Sequence, residues 1–135
     1  MKNMATNEMI AYWVTSSDRD YQVMIDLFQK GHYTWSLFIG HLVIEKLLKA
    51  VCSQKRMKNP PLIHDLLRLA EKGDLDLDEE QKDILDTVTT FNIQARYDDY
   101  KSDFHNKCTK DFTQKWVRSI KEFRIWLKQN HLKQF

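Results

Sequence analysis

The stretch YTWSLFIGHLVIEKLLKAVC, residues 33–52, decides the fold. It is long enough for about five helical turns, and its apolar residues point in nearly every direction around a helix axis. A helix that is apolar all round is usually buried on several sides. We therefore expect this stretch to form the central helix of an all-α bundle.

Three polar side chains interrupt that apolar surface at four-residue spacing: His41, Glu45 and Lys49. This spacing stacks them along one face of a helix. One interpretation is a solvent-facing seam that carries an ordinary Glu–Lys pair. The other is a polar groove in which a ligand or a partner helix docks, and the residues alone leave both open.

Length and composition predict a single helical domain over residues 1–135. The chain has 135 residues, of which 42% are hydrophobic and 30% charged, as in ordinary globular domains. Its three glycines and two prolines are too few for many short strands and favour long helices. No stretch reaches the length of a membrane span, and the two cysteines form no CxxC pair. We expect a cytoplasmic protein with reduced thiols, away from the membrane.

Apolar spacing and capping residues predict an up-and-down four-helix bundle with an extra short helix. The link from Gly31 to Tyr33 is short, so the first two helices should be antiparallel neighbours. The expected helices are Asn7–Lys30, a second that begins at Tyr33 and fades by Lys55, His64–Glu71, a fourth capped by Asp76 or Asp78, and Lys110–Asn130 after the cap Thr109.

Two segments read as loops. Residues 53–61, SQKRMKNPP, are polar and end in two prolines, which exclude helix there. Residues 94–108 lack clear apolar periodicity, and long loops on rigid bundles often carry function.

Charge is distributed unevenly along a chain whose net charge is +2. Residues 71–104 are strongly acidic, and residues 105–135 are strongly basic. A basic segment attracts phosphates. Alternatively, the two consecutive segments pack as neighbours and their fields largely cancel.

The aperiodic segment carries the best candidate site. Arg96 offers a planar fork that holds a phosphate by two hydrogen bonds, and Lys101 adds positive charge. Tyr97 or Tyr100 is able to stack on a base. His105 suits proton transfer near neutral pH, so Arg96 and His105 together fit metal-free RNA cleavage. The alternative is that Arg96 pairs with a nearby carboxylate or caps the preceding helix, and that His105 is an ordinary surface residue.

Common cofactor and metal signatures are missing from the sequence. There is no Gly-rich phosphate loop, no GxSxG and no HExxH. His105 and Cys108 have HxxC spacing, but no second pair accompanies them. We expect neither a metal nor a cofactor.

Three motifs, taken in order, resemble the HEPN family, the "higher eukaryotes and prokaryotes nucleotide-binding" domain. The resemblance covers roughly residues 8–130. It rests on the Gly31–Tyr33 turn leading into H-x-x-x-E-K-x-x-K at His41, Glu45, Lys46 and Lys49, on Leu62-Ile63-His64-Asp65-Leu66, and on Ala95-Arg96-Tyr97.

The resemblance implies a helical bundle, usually a homodimer, that acts on or binds nucleotides or RNA. Many members are encoded beside a minimal nucleotidyltransferase, and some of these pairs are toxin–antitoxin modules. We therefore expect a nucleotide- or RNA-binding homodimer, with such a nucleotidyltransferase as a partner protein. The expected binding residues are Arg96, Tyr97, Lys101 and His105, with His41, Glu45 and Lys49 lining the same groove.

Some members of the family are metal-independent RNases that use an Arg and a His. In this chain eight residues separate Arg96 from His105, more than in those members, and Asp98 replaces the usual proline after Ala-Arg-Tyr. RNase activity from Arg96 and His105 is therefore the alternative to the binding module. A third hypothesis is a structural module that docks another protein.

Overall fold

The computed structural model describes residues 2–55 and 63–135. Six helices and no strand form within those two ranges, which confirms the all-α class. Four helices are long and two are short, one more short helix than the sequence predicted. Their bounds are α1 Lys2–Gln29, α2 Tyr33–Gln54, α3 Leu66–Lys72, α4 Glu79–Arg96, α5 Asp98–Lys107 and α6 Lys110–His131.

The predicted central helix is confirmed as α2, which contacts each of the other five helices. Leu37, Val43, Leu47 and Leu48 on α2 have no exposed surface. They join side chains from α1, α3, α4 and α6 in one hydrophobic core. Burial of this much apolar surface on a single helix stabilises the bundle around it.

A tight turn joins α1 to α2. Gly31 adopts a φ of 82°, in the left-handed region that ends many helices. Buried hydroxyls then tie the two helices together: Ser17 Oγ donates to the Val43 carbonyl and Ser36 Oγ to the Met24 carbonyl, both at 2.8 Å. Helix α1 begins at Lys2 rather than near Asn7, because no glycine or proline precedes the predicted cap.

Helices α4 and α6 begin at capping residues that the sequence indicated, whereas α3 begins at Leu66, two residues after the predicted start at His64. Asp78 accepts a hydrogen bond from the Gln81 backbone in a capping box, and Thr109 accepts one from the Phe112 backbone. Helix α6 is tied to α1 by Asp18, which pairs with Arg124 and Lys128 at 3.0 Å.

The prediction of a long loop over residues 94–108 is wrong. Helix α4 continues to Arg96, Tyr97 breaks the chain with an extended backbone, and α5 follows. Phe104 is buried and anchors α5, with its ring centroid 5.5 Å from that of Phe91. Because Phe104 is the one buried apolar residue among the ten of α5, the sequence of this helix shows no periodic apolar stripe.

The loop predicted at residues 53–61 lies mostly outside the described residues; within it, Ser53 and Gln54 belong to α2 and Lys55 is its C-cap. Leu62 of the second motif lies outside them as well. Among the described helices, none combines the length and the apolar character needed to cross a membrane.

Candidate functional site

A cleft of about 370 Å³ opens where the start of α2 meets the end of α4 and the outer face of α5. Two of the predicted site residues, Lys101 and His105, line it. The full lining is Gly31, His32, Tyr33, Thr34, Trp35, Ala95, Lys101 and His105.

The electrostatics of the cleft suit an anion. The N-cap residue His32 makes no side-chain hydrogen bond to the first turn of α2. The backbone N–H groups of a helix start carry partial positive charge and bind phosphates readily. The exposed side chains of His32, Lys101 and His105 surround that start and add hydrogen-bond donors. A phosphate group in the cleft would thus find donors from α2 and from α5.

Arg96 borders the cleft instead of lining it. Its Nε donates to the Asn92 carbonyl at 3.1 Å, and its guanidinium carbon lies 5.7 Å from the Phe38 ring centroid and 5.5 Å from that of Tyr97. His105 lies in the cleft, whereas Arg96 packs on these two aromatic rings. The structure of one chain therefore does not place Arg96 and His105 in the same cavity.

An exposed aromatic strip runs along this border. Trp35 is 46% exposed, lines the cleft and meets the Phe38 ring edge-on at 5.6 Å. Arg96 lies over Phe38, and Tyr97 beyond it is 53% exposed. We call Trp35, Phe38, Arg96 and Tyr97 the aromatic strip. Trp35 belongs to the apolar stretch from which the central buried helix was predicted, but its position in the first turn of α2 is a signal of a location at the end of the bundle.

The polar stripe of α2 is buried, so the solvent-facing interpretation is wrong. His41 has no exposed surface, and Glu45 and Lys49 are 4% and 8% exposed. The two oxygens of the Glu45 carboxylate contact different partners: Oε1 lies 2.6 Å from Nδ1 of His64, and Oε2 lies 3.3 Å from Nζ of Lys49. Trp13 of α1 covers Lys49, with its ring centroid 5.0 Å from Nζ.

His41 is fixed in one tautomer. Its Nε2 lies 3.0 Å from the His64 carbonyl oxygen, which only accepts, so Nε2 carries the proton. Its Nδ1 is buried and has no hydrogen-bond partner in the part of the chain that the structure describes. Burial is the largest effect on the pKa of His41 and lowers it, and the positive charge of Arg96 lowers it further. The hydrogen bond to the His64 carbonyl and the negative charge of Glu45 raise it, but the net shift is downward. His41 is therefore neutral near pH 7.

These contacts separate the predicted site residues into two groups. Lys101 and His105 line the cleft, and Arg96 and Tyr97 border it. His41, Glu45 and Lys49 are not part of its lining. They converge on His64, whose side chain is 59% exposed and which sequence reasoning used only as part of a motif. Over the described ranges, no group of three or more His, Cys, Asp or Glu side chains is placed to hold a metal ion.

The class of protein defined here is an all-α bundle with a donor-lined cleft at the start of its central helix. The model of the HEPN domain family matches residues 10–130, and the chain belongs to the HEPN family. The resemblance inferred from the three motifs is thereby confirmed, and membership indicates a function related to nucleotides or RNA. No curated protein and no solved structure gives a significant match to the chain.

Proposed function

We propose that the protein is a binding module for a nucleotide or RNA, with the phosphate bound in the cleft at the start of α2. The observation that carries the proposal is the convergence of the α2 N-terminus with Lys101 and His105 in one cleft. Two elements thus present donors to one volume, and a phosphate offers acceptors on all sides.

The aromatic strip supports a ligand that carries a base as well as a phosphate. Trp35 belongs both to the cleft lining and to the strip, so a base attached to the bound phosphate reaches an aromatic face. Stacking of a base on an aromatic side chain contributes about 1–3 kcal/mol. Arg96 at the centre of the strip provides a planar fork for the next phosphate along a strand.

His41, Glu45 and Lys49 have a supporting role in this proposal. All three are more than nine-tenths buried, and Glu45 already pairs with Lys49 and His64. They stabilise the position of the segment before α3 on α2. The residues proposed to touch the ligand are Lys101, His105, Arg96 and Tyr97, with Trp35 added.

The proposal includes a homodimer and a minimal nucleotidyltransferase as partner protein, in a module of the toxin–antitoxin type. Among the residues whose burial the structure describes, seven large hydrophobic side chains are at least 38% exposed, including Tyr97 and Tyr100 on either side of the start of α5. Exposed aromatic residues are enriched where proteins associate. Light scattering at micromolar concentration should give twice the mass of one chain, and the mass of a monomer would contradict the dimer.

RNase activity through Arg96 and His105 is the second candidate. Because these two side chains of one chain face different volumes, cleavage would need the Arg of one protomer and the His of its partner. Labelled single-stranded RNA incubated with a chelator distinguishes the two candidates. Cleavage lost in both Arg96→Ala and His105→Ala supports the RNase, and intact RNA in the presence of wild-type protein supports the binding module.

The binding proposal is tested by fluorescence anisotropy with a labelled single-stranded RNA and with labelled AMP over a range of salt concentrations. Phosphate-driven affinity falls steeply as salt rises. Lys101→Ala should weaken binding about tenfold or more, since a hydrogen bond to a charged group contributes ~1.5–3 kcal/mol. Lys121→Ala, which removes an exposed lysine of α6, is the matched control. No binding of either ligand, or equal losses in the two variants, would overturn the proposal.

A further inference from the structure

Three buried residues of α2 converge on one exposed histidine. His41 Nε2–H donates to the backbone carbonyl of His64 at 3.0 Å, which fixes its main chain. Glu45 Oε1 lies 2.6 Å from Nδ1 of His64, which fixes its ring. Lys49 holds the other oxygen of Glu45 at 3.3 Å, which fixes the carboxylate. The main chain of His64 is thus held by His41, and its imidazole ring is held by Glu45.

Such a cluster costs more free energy than apolar packing as a means of holding the segment before α3 on α2. Taking charged groups out of water often costs more than their mutual attraction returns, and apolar residues of similar volume are frequently as stable or more stable. Most other buried contacts of α2 are apolar, made by side chains such as Leu47, Leu48 and Val51. What the polar cluster provides and an apolar one cannot is a defined orientation and tautomer of the His64 ring.

The tautomer has a chemical consequence. A carboxylate only accepts, so Nδ1 of His64 carries a proton that it donates to Glu45, and in the neutral ring Nε2 holds a lone pair. A carboxylate behind one nitrogen of an imidazole fixes the ring and its tautomer and leaves the lone pair of the other nitrogen directed away from the carboxylate. Nε2 makes no hydrogen bond to a described residue, and the 59% exposure of the side chain leaves it accessible to a reagent.

We propose that His64 is a reactive histidine whose Nε2 accepts a phosphoryl group from a small phosphoryl donor with a good leaving group. The Nε2 lone pair forms a bond to phosphorus as the bond from phosphorus to the leaving atom breaks, and the leaving group departs with that electron pair. With phosphoramidate as donor, ammonia leaves and no electron is gained or lost. The positive charge that the ring acquires faces the Glu45 carboxylate, which retains the hydrogen bond from Nδ1.

This site is separate from the cleft of the proposed function, because neither His64 nor Glu45 belongs to the cleft lining. Loss of nucleotide or RNA binding at the cleft would leave the reactivity of His64 unchanged. The converse also holds, so the two proposals fail independently.

The test is phosphorylation of the full-length wild-type protein by potassium phosphoramidate at pH 8, above the ordinary imidazole pKa of about 6.5. Mass spectrometry of peptides measures the rate at each histidine. His32 and His105 are exposed and have no carboxylate behind the ring among the described contacts, so they are controls in the same sample. We expect His64 to react about tenfold faster than either, with phosphorus on Nε2 as shown by NMR of the modified peptide.

Glu45→Gln supplies the matched variant, because glutamine retains an acceptor for Nδ1–H and removes the negative charge. The rate at His64 should fall toward the rate at His105 while the rate at His105 stays unchanged. Equal rates at the three exposed histidines of the wild type, or phosphorus on Nδ1 of His64, would overturn the proposal. The comparison within the wild type decides the question even where Glu45→Gln does not fold.

Discussion

Glu45 on α2 holds the ring of His64 through a 2.6 Å contact between Oε1 and Nδ1. This contact unites two motifs that lie apart in the sequence. The polar stripe His41, Glu45 and Lys49 belongs to the central helix, and His64 belongs to the segment before α3. The two motifs are therefore one structural unit, in which the helix supplies the acceptor and the segment supplies the exposed side chain.

The Glu45–Lys49 pair should be costly to break from one side. Glu45→Ala leaves Lys49 buried without its partner, and the loss of one member of a buried pair destabilises by about 3–5 kcal/mol. Urea unfolding measures the change. The double variant Glu45→Leu/Lys49→Leu removes both charges and should be less destabilised than Glu45→Ala alone. The pairing would be contradicted if the stability lost in Glu45→Leu/Lys49→Leu equalled the sum of the losses in Glu45→Leu and Lys49→Leu measured separately.

Stability should fall as the pH drops below about 6.5. Burial lowers the pKa of His41 from 6.5, so the unfolded chain binds a proton that the folded chain excludes. The stability is complete above the unfolded value and is lost progressively as pH decreases below it. His41→Gln keeps a donor for the His64 carbonyl and should flatten the dependence measured by urea unfolding between pH 7.5 and 5.

His131 needs its own control in that experiment, since burial lowers its pKa as well. His131→Asn should remove a smaller part of the pH dependence, because this side chain is only partly buried whereas His41 is fully buried. A larger flattening in His131→Asn than in His41→Gln would show that the buried histidine of α2 is not the main group.

Core truncation should confirm the central position of α2. Leu48 has no exposed surface, and Leu48→Ala should destabilise the protein by about 2–5 kcal/mol through the lost contacts and the cavity left behind. Ile93→Ala is the matched control, because Ile93 on α4 is 46% exposed and its truncation should cost less than about 1 kcal/mol. Similar losses in the two variants would contradict the packing described for α2.

The sequence predicted those elements whose signals are local. Neighbouring residues alone predict the apolar stretch of α2 and the two capping residues Asp78 and Thr109. The structure confirms the helix and both caps. Helix α5 was missed because Phe104 is its one buried apolar residue. Its sequence therefore shows neither the apolar spacing of a helix nor that of a strand.

The site was harder to predict because its arrangement depends on distant parts of the chain. His41, Glu45 and Lys49 are typical of a surface stripe until Trp13 and the segment at His64 cover them. Trp35 resembles a core residue until its place at the mouth of the cleft is known. Tertiary contacts between helices, which no local pattern encodes, decide both cases.

Arg96 should be important for binding and unimportant for folding. It is exposed and its hydrogen bond is to the Asn92 carbonyl of its own helix, so Arg96→Ala should change the free energy of unfolding by less than about 1 kcal/mol. Affinity for single-stranded RNA should fall about tenfold, since the planar fork is lost. Arg118→Ala on α6, also exposed, should leave both quantities unchanged. A collapse of thermal stability in Arg96→Ala would make the arginine structural instead.

An NMR titration of the indole N–H signals with AMP and with a short single-stranded RNA measures whether the ligand binds in the cleft at the start of α2. Four tryptophans give four signals, of which Trp35 alone lines the cleft. We predict a shift of the Trp35 signal that saturates with ligand, while the signals of Trp13, Trp116 and Trp126 move little. An unchanged Trp35 signal, together with saturable shifts at the other three, would place the ligand elsewhere and contradict binding in the cleft.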